Sequence, residues 1–465
     1  MREDINSLTA VEGSFRDPSG RVYLAGENVL RTIHEKYSTH WLAMEQTGFL
    51  QEAVEQGFLL EFKEVSPLKD SWKCIKSPKL PFISYPYEWS FEQLKDAALH
   101  TLLGLKAALK YGLTLKDASA YNIQFYGGKP IFIDHLSFEK REPHSPWAAY
   151  LQFCKHFLAP LALMSRLDVS LGKLLRLWID GIPLELASKL LPYKTKFSPL
   201  LFIHIHLHAR MQLKHNDARR SAAKAKAVKI GENAVFKLCE SLRAAIEDLK
   251  PPRQKSEWGD YYDDTNYSPE AAADKIAFMS QIANEFGGDL AVDLGANTGL
   301  FSRLIAGNYR HVVAADIDYQ AVGNHYTRLK TENIKNITPM IFDLSNPSPA
   351  LGFGLKERDS FSARCSADML TALALLHHLV FSAGIPLVKT AEYFSTLLKE
   401  KGILILEFVP GEDSQVRRLL AAREPVLPYG LEHCLSAYTE YFELLKTQKI
   451  KDSLRTMLVW RKKNV

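Results

Sequence analysis

Apolar and polar positions divide this chain into three zones. From about residue 258 to residue 465, strand-like apolar runs alternate regularly with helical stretches. The runs are LAVDL (290–294), HVVAADID (311–318), ITPMIFD (337–343), a fourth from Asp368 in ADMLTALAL and a fifth, GILILEFVP, reaching Glu407. YFELLKTQKI and RTMLVWRKK can form a closing antiparallel pair. Strands alternating with helices predict an open, mainly parallel α/β sheet. Residues 1–215 mix short strand-like and helical runs, and residues 216–257 are polar and helix-forming. Pro251 and Pro252 end that middle stretch, since proline lacks the donor and clashes with the preceding turn. The expected domains are therefore 1–215, a helical linker 216–257, and 258–465.

The candidate chemistry lies at the first strand of the third zone. VDLGANTGLFSRL reads as strand, glycine-rich turn and helix start. Gly295 and Gly299 permit a tight turn and close approach to a ligand, and the N–H groups of the following helix start point at that turn. Asp316 ends the second strand, 23 residues after Asp293, where a carboxylate can accept both hydroxyls of a ribose. A dinucleotide cradle usually carries the tighter G-x-G-x-x-G. Here the spacing is G-x-x-x-G, preceded by Asp293, a charge that repels phosphate and suits a cationic ligand. Asp343 ends the third strand, where it can accept a hydrogen bond from an adenine amino group, with Leu344 beside it.

These motifs, VDLGANTG, AADID and IFDLS, resemble the successive cofactor motifs of the class I S-adenosylmethionine-dependent methyltransferases. The resemblance covers about 200 residues and implies a Rossmann-like sheet of seven strands. It implies that Asp293, Gly295, Asn297 and Gly299 line the methionine end of S-adenosyl-L-methionine, that Asp316 holds the ribose, and that Asp343 and Leu344 meet the adenine. The aromatic leader WGDYYDDTNYS makes Tyr262 and Tyr267 further candidate contacts. Methyl transfer is an in-line displacement at a sulfonium carbon, for which protein groups supply proximity, orientation and sometimes a base. His377, His378 and Glu407, at strand ends, are the candidates for that work; a packing or loop-capping role is the competing reading for each.

The N-terminal zone carries a second pattern, LKDASAYNIQFYGGKPIFIDHLSFE. Asp117 and Asn122 have the D-x-x-x-x-N spacing of a kinase catalytic loop; a strand pair turning at Gly127–Gly128 and then Asp134 follow. Upstream, PFISYPYEWSFEQLKDAALHTLLGLKAALKYG reads as strand, hinge and long helix. The segment resembles the C-lobe of protein-kinase-like and aminoglycoside-phosphotransferase-like folds. It departs from them at Lys116, at His135 and Leu136, and in lacking both a G-x-G-x-x-G loop and a V-A-I-K lysine. A degenerate α+β kinase-like domain is the expectation. With the runs AYLQFCKHFLAPLALM and LILEFVPGEDSQVRRLL, the whole chain resembles bacterial nodulation-type, host-specificity methyltransferases.

Composition narrows the rest. Apolar content of 46% and charged content of 24% are those of an ordinary globular protein, and a net charge of +5 over 465 residues gives no argument for a nucleic-acid partner. Seven Lys/Arg against one acid between Arg210 and Lys229 read as a solvated helix face, with an anionic substrate or RNA as the sharper alternative. Five scattered cysteines without a CxxC pair fit reduced thiols. The N-terminus lacks the apolar core of a signal peptide, and no apolar run reaches the roughly 18–20 residues of a membrane span, so a cytoplasmic location and no membrane partner are expected. His204, His206 and His208 would share a face on a strand and could ligate a metal; on a helix only His204 and His208 align. A satisfied, partly buried set with no metal is expected. The reading is an S-adenosylmethionine-dependent methyltransferase acting on a small-molecule or carbohydrate oxygen. The alternatives are a kinase-like phosphotransferase, or a non-catalytic scaffold with the α/β domain as cofactor sensor.

Overall fold

The computed structural model describes residues 8–68, 70–212, 231–252, 267–420 and 427–464. The chain forms two compact units. The first comprises residues up to Leu80, Ser84–Gln254 and the excursion Leu351–Arg358; the second comprises Pro81–Ile83, Lys255–Ala350 and Asp359–Val465.

In the first unit, an antiparallel sheet has the order β1-β2-β3-β5-β4, from Thr9–Ala10, Val22–Ala25, Asn28–Ile33, Lys63–Val65 and Lys73–Pro78. Helices α1 (Ser38–Gln46) and α2 (Phe49–Glu55) fall between β3 and β4. Helix α3 (Phe91–Lys110) starts at a reciprocal cap: Ser90 Oγ accepts from the Gln93 amide and Gln93 Oε1 from the Ser90 amide. Strands β6 (Leu113–Leu115) and β9 (Phe138–Lys140) pair around the hairpin β7–β8, Ile123–Tyr126 and Lys129–Phe132, which turns at Gly127–Gly128 as expected. The start of PFISYPYEWS, expected as a strand, forms none; the strand before the long helix is β5. Within the same unit, Glu357 of the excursion meets Arg16 at 2.7 Å, and the Arg358 guanidinium lies 4.1 Å over the Tyr121 ring. Helices α4 (Leu184–Leu190) and α5 (Glu232–Asp248) are among the others of this unit; Glu240 of α5 pairs with Lys106 of α3 at 2.9 Å. The basic stretch 213–230 lies outside the described residues.

The second unit is built on seven strands in the order β12-β11-β10-β13-β14-β16-β15: Ile337–Ile341, Tyr309–Asp316, Gly288–Leu294, Ala367–Ala372, Leu398–Phe408, Thr456–Lys462 and Phe442–Lys449. β10 to β14 are parallel, while β15 and β16 close the edge antiparallel. This is the seven-stranded sheet that the methyltransferase resemblance implied. Its central parallel strands read as continuous apolar runs because both of their faces are buried. Alternate residues serve two separate apolar clusters: Leu290, Val292 and Leu294 belong to one, Ala291, Val312 and Ala314 to the other. Helix α6 (Pro269–Glu285) starts at Ser268, whose Oγ accepts from the Ala271 amide, with Pro269 at the first helical position. Helices α7 (Leu300–Ile305), α8 (Tyr319–Thr331) and α9 (Leu387–Leu397) complete the elements that frame the site. Among the described residues, no helix is long and apolar enough to cross a membrane.

Candidate functional site

A cavity of about 560 Å³ opens in the second unit, at the carboxyl ends of the parallel strands, where open α/β sheets take their ligands. Its lining includes Tyr267, Asp293, Gly295, Asn297, Asp316, Asp343, Leu344 and His378. Eight residues singled out from sequence thus converge on one space. Gly299, His377 and Glu407 do not line it. Tyr262 lies outside the described residues.

The turn after β10 is held by two buried carboxylates. Asp293 sits opposite Thr371 in the β10–β13 register and accepts from its hydroxyl at 2.6 Å, while its second oxygen accepts from Ser302 of α7 at 2.6 Å. Burial raises its pKa, against the pull of those two hydroxyls. Asp316 closes the loop from the neighbouring strand: one oxygen accepts the Asn297 amide at 2.7 Å, the other the Asp318 amide at 2.9 Å. Burial pushes its carboxyl up to about 6, opposed by those amides. Each oxygen of Asp316 has one lone pair engaged by protein, which leaves the carboxylate able to accept a diol. Asp343, at the far wall, accepts from the Ser345 amide and hydroxyl at 3.0 and 2.6 Å.

Gly299 has a steric task. It adopts φ +75°, and a Cβ there would fall 1.9 Å from Cε1 of His325 on α8. The turn can lie this close to α8 only without a side chain. Gly295, at φ +74°, donates its amide to the Ala315 carbonyl at 2.9 Å, and only Leu375 would approach a Cβ there, at 3.5 Å.

Below the cavity runs a buried charge network. Lys275 of α6 bonds Glu407 of β14 at 2.6 Å, and Arg455 reaches Glu407 at 3.3 Å and Asp413 at 2.9 Å. Tyr267 donates to Glu407 and accepts from Arg455 at 2.8 Å. Two cations balance two anions, as burial requires. Burial would raise the Glu407 carboxyl, but Lys275 and Arg455 hold it down at about 2. A carboxylate so ionised and so fully bonded is a weak base. Lys275 also lines the cavity, so one side chain belongs both to the network and to the cavity wall. Sequence reading passed over it, although a signal was there: Lys275 falls on the buried stripe of α6 with Ala271, Phe278, Met279 and Ile282, where a lysine needs a partner. Asp413 and Arg455 carried no such signal.

The two adjacent histidines part company. His378 lines the cavity, whereas His377 is 2% exposed with Nδ1 unbonded. Burial lowers the pKa of both, so each ring is neutral near pH 7.

In the first unit, Asp117, Asn122 and Asp134 come together, but protein groups engage them. Asp117 Oδ1 accepts from Gln152 Nε2 at 2.7 Å, and Asn122 Nδ2 donates to Ser137 Oγ at 3.0 Å. Asp134 is paired at 3.1 Å with Arg31 of β3, which also binds Asp17. Arg31 was not anticipated from sequence. His204 and His206 lie in helical turns over Phe202–Leu207, each with both ring nitrogens bonded: His204 to Tyr150 and Ser241, His206 to Ser188 and Thr195. Two of the three histidines are thus satisfied as expected, whereas His208 stacks on the Tyr150 ring at 4.7 Å with its Nδ1 unbonded. Among the described residues there is no group of three or more metal-ligating side chains. All five cysteines are buried and free.

No protein-family model matches the chain. Among solved structures, it is similar to the N-methyltransferase NodS from Bradyrhizobium japonicum WM9, with 13% identity, TM-score 0.33, and 42% of this chain and 99% of that one covered. It is also similar to the magnesium protoporphyrin IX methyltransferase ChlM from Synechocystis PCC 6803, with 18% identity, TM-score 0.31, and 43% and 90% covered. Along the sequence it is 34% identical over 462 residues to the nodulation protein NoeA of Rhizobium meliloti strain 1021, covering 97% of this chain and 96% of that protein. Identity at this level over nearly the full length of both chains places this protein in the family of the nodulation protein NoeA.

Proposed function

We propose that the second unit binds S-adenosyl-L-methionine and transfers its methyl group to a hydroxyl oxygen of a small-molecule or carbohydrate acceptor. The observation that carries the reading is the pair of buried carboxylates, Asp293 and Asp316, on one cavity at the strand ends, with no phosphate-type cradle between them. The residues fit the cofactor. Asp316 keeps acceptor capacity for a ribose diol, Leu344 and Phe342 offer apolar faces to a purine, and Asp343 stands beside them to accept from its amino group. Asp293 places negative charge beside a sulfonium and an ammonium. The Lys275 ammonium is placed for the α-carboxylate, and Glu407 and Tyr267 hold it in position. When bound, the cofactor supplies an electrophilic methyl carbon.

The chain's own residues then orient and deprotonate. Glu407 is a positioning residue for Lys275 and Tyr267, too weakly basic to take an acceptor's proton. His378, neutral and on the cavity wall, is the group placed to do so at Nε2 or Nδ1. Leu375, Leu379 and Ala383 line the same cavity and give it apolar surface. The first unit serves as a kinase-like, non-catalytic scaffold: Asp134 is already engaged by Arg31, which also pairs with Asp17. Calorimetry with S-adenosylhomocysteine and with ATP·Mg decides the assignment. Micromolar binding of the first, lost in Asp316→Ala, is expected; binding of ATP alone, lost in the same variant, overturns it.

A further inference from the structure

The helical stretch from Pro199 to Gln212 in the first unit carries apolar residues on two faces, Leu201, Ile205 and Ala209 buried in the core and a second set turned to solvent. Its polar residues His204 and His206 face inward, each about 1% exposed and fully bonded. The outward set, Ile203, Leu207 and Met211, recurs every fourth position and is 47%, 38% and 51% exposed. The His206 ring ties three elements together, bonding Ser188 of α4 on one side and Thr195 of the turn Tyr193–Phe197 on the other. That turn adds an edge-on aromatic pair, Tyr193 and Phe197, 70% and 76% exposed with ring centres 5.7 Å apart. Such a concentration of outward apolar side chains on adjoining elements marks an interaction surface.

Charge says what covers it. From Lys189 to Gln212 the chain has four cations, Lys189, Lys194, Lys196 and Arg210, and no Asp or Glu. Lys189 pairs with Glu185; Lys194, Lys196 and Arg210 have no carboxylate in salt-bridge range among the described residues. The Lys196 ammonium sits 4.4 Å over the Tyr193 ring, so the cation rides on the aromatic body. We propose that this face is a peripheral docking surface for an anionic lipid bilayer: Phe197, Tyr193 and the Ile203–Leu207–Met211 stripe enter the headgroup boundary, and the lysines and Arg210 meet the lipid phosphates. The absence of a membrane-spanning run predicted no membrane partner, but a surface of this kind requires none. It stands independently of the methyl-transfer reading.

Co-sedimentation of the full chain with vesicles tests it. Binding to phosphatidylcholine vesicles containing phosphatidylglycerol, but not to pure phosphatidylcholine, is expected, and about 1 M salt releases it. Each cation near an anionic surface contributes about fivefold, so the double variant Lys194→Glu, Lys196→Glu lowers partitioning on the order of thirtyfold or more. Phe197→Ser, at an exposed site, lowers it about tenfold and leaves hydrogen exchange of residues 184–212 unchanged. Failure to bind the mixed vesicles overturns the proposal, as does binding indifferent to all three substitutions. So does a Phe197→Ser variant that converts a dimer to a monomer, which would make the face an interface between copies. Capture of single-stranded RNA with the same charge dependence, without vesicle binding, overturns it too.

Discussion

Gly299→Ala puts the geometry of the cofactor turn to its strictest test. Two costs act at this position. The φ of +75° is a left-handed conformation, which an alanine pays roughly 1–2 kcal/mol to adopt. The added Cβ would also stand 1.9, 2.1 and 2.4 Å from three ring atoms of His325. Carbon contacts settle near ~3.5 Å, so ring or turn must retreat by roughly 1.6 Å. His325 is 1% exposed, and neither ring nitrogen has a partner, so no hydrogen bond fixes the ring, but close packing leaves it nowhere to go. Overpacking of this kind costs about 1–3 kcal/mol, which brings the sum to about 2–5 kcal/mol. Amide hydrogen exchange over β10 and α8 reads the local opening energy, without requiring a chain of two units to unfold in one step. S-adenosylhomocysteine affinity is expected to fall in parallel, because retreat of the turn carries the Asn297 amide away from Asp316. The double variant with His325→Ala removes the clash and leaves the backbone cost. A favourable coupling of about 1–3 kcal/mol between the two sites is therefore expected. A Gly299→Ala protein within about 0.5 kcal/mol of wild type, or strict additivity with His325→Ala, refutes the steric account.

The remaining predictions concern the carboxylates and the buried network. Asp316, raised to about 6, must be ionised to accept a diol, so S-adenosylhomocysteine affinity by calorimetry is level from pH 8 to 7 and falls, approaching tenfold per unit, below about pH 6. Asp316→Asn should abolish that break; a break that survives assigns it elsewhere. Because the folded pKa lies above the unfolded one of about 4, the same group makes folding stability decline as pH rises from about 4 to 6, so affinity and stability should move in opposite directions across that window. Lys275→Met should weaken S-adenosylhomocysteine by about ten- to a hundredfold, the worth of a charge-assisted bond, while leaving adenosine affinity within threefold or so. Equal losses for both ligands would remove Lys275 from the carboxylate site. Glu407→Gln leaves two buried cations facing one anion and should cost about 3–5 kcal/mol, read by hydrogen exchange in β14 and β16; a neutral outcome refutes the network's charge balance.

What the sequence disclosed and what it hid divide along a physical line. The sheet was legible because parallel strands buried on both faces advertise themselves as runs such as LAVDL and VVAAD, and the cofactor turn because its glycines and acids are adjacent in the chain. Asp293 was singled out for the charge it offers a cationic ligand and Asp316 for the hydroxyls it can accept; the structure adds that each also ties the turn to a neighbouring element, through Thr371, Ser302, Asn297 and Asp318. Those partners are up to 78 residues away and leave no local pattern. Glu407 shows the limit most clearly. Its position at a strand end suggested a base, but basicity depends on neighbours, and its neighbours, Lys275 and Arg455, come from a helix 132 residues before it and a strand approach 48 residues after it. Arg31 does the same to Asp134 in the first unit, across about a hundred residues. The D-x-x-x-x-N spacing could be read; the cation that occupies Asp134 could not. A motif records which groups are present at a site. Whether those groups remain available for chemistry is decided by long-range pairing, and here pairing withdraws Glu407 and Asp134 from direct chemistry while leaving the outer lone pairs of Asp316 open.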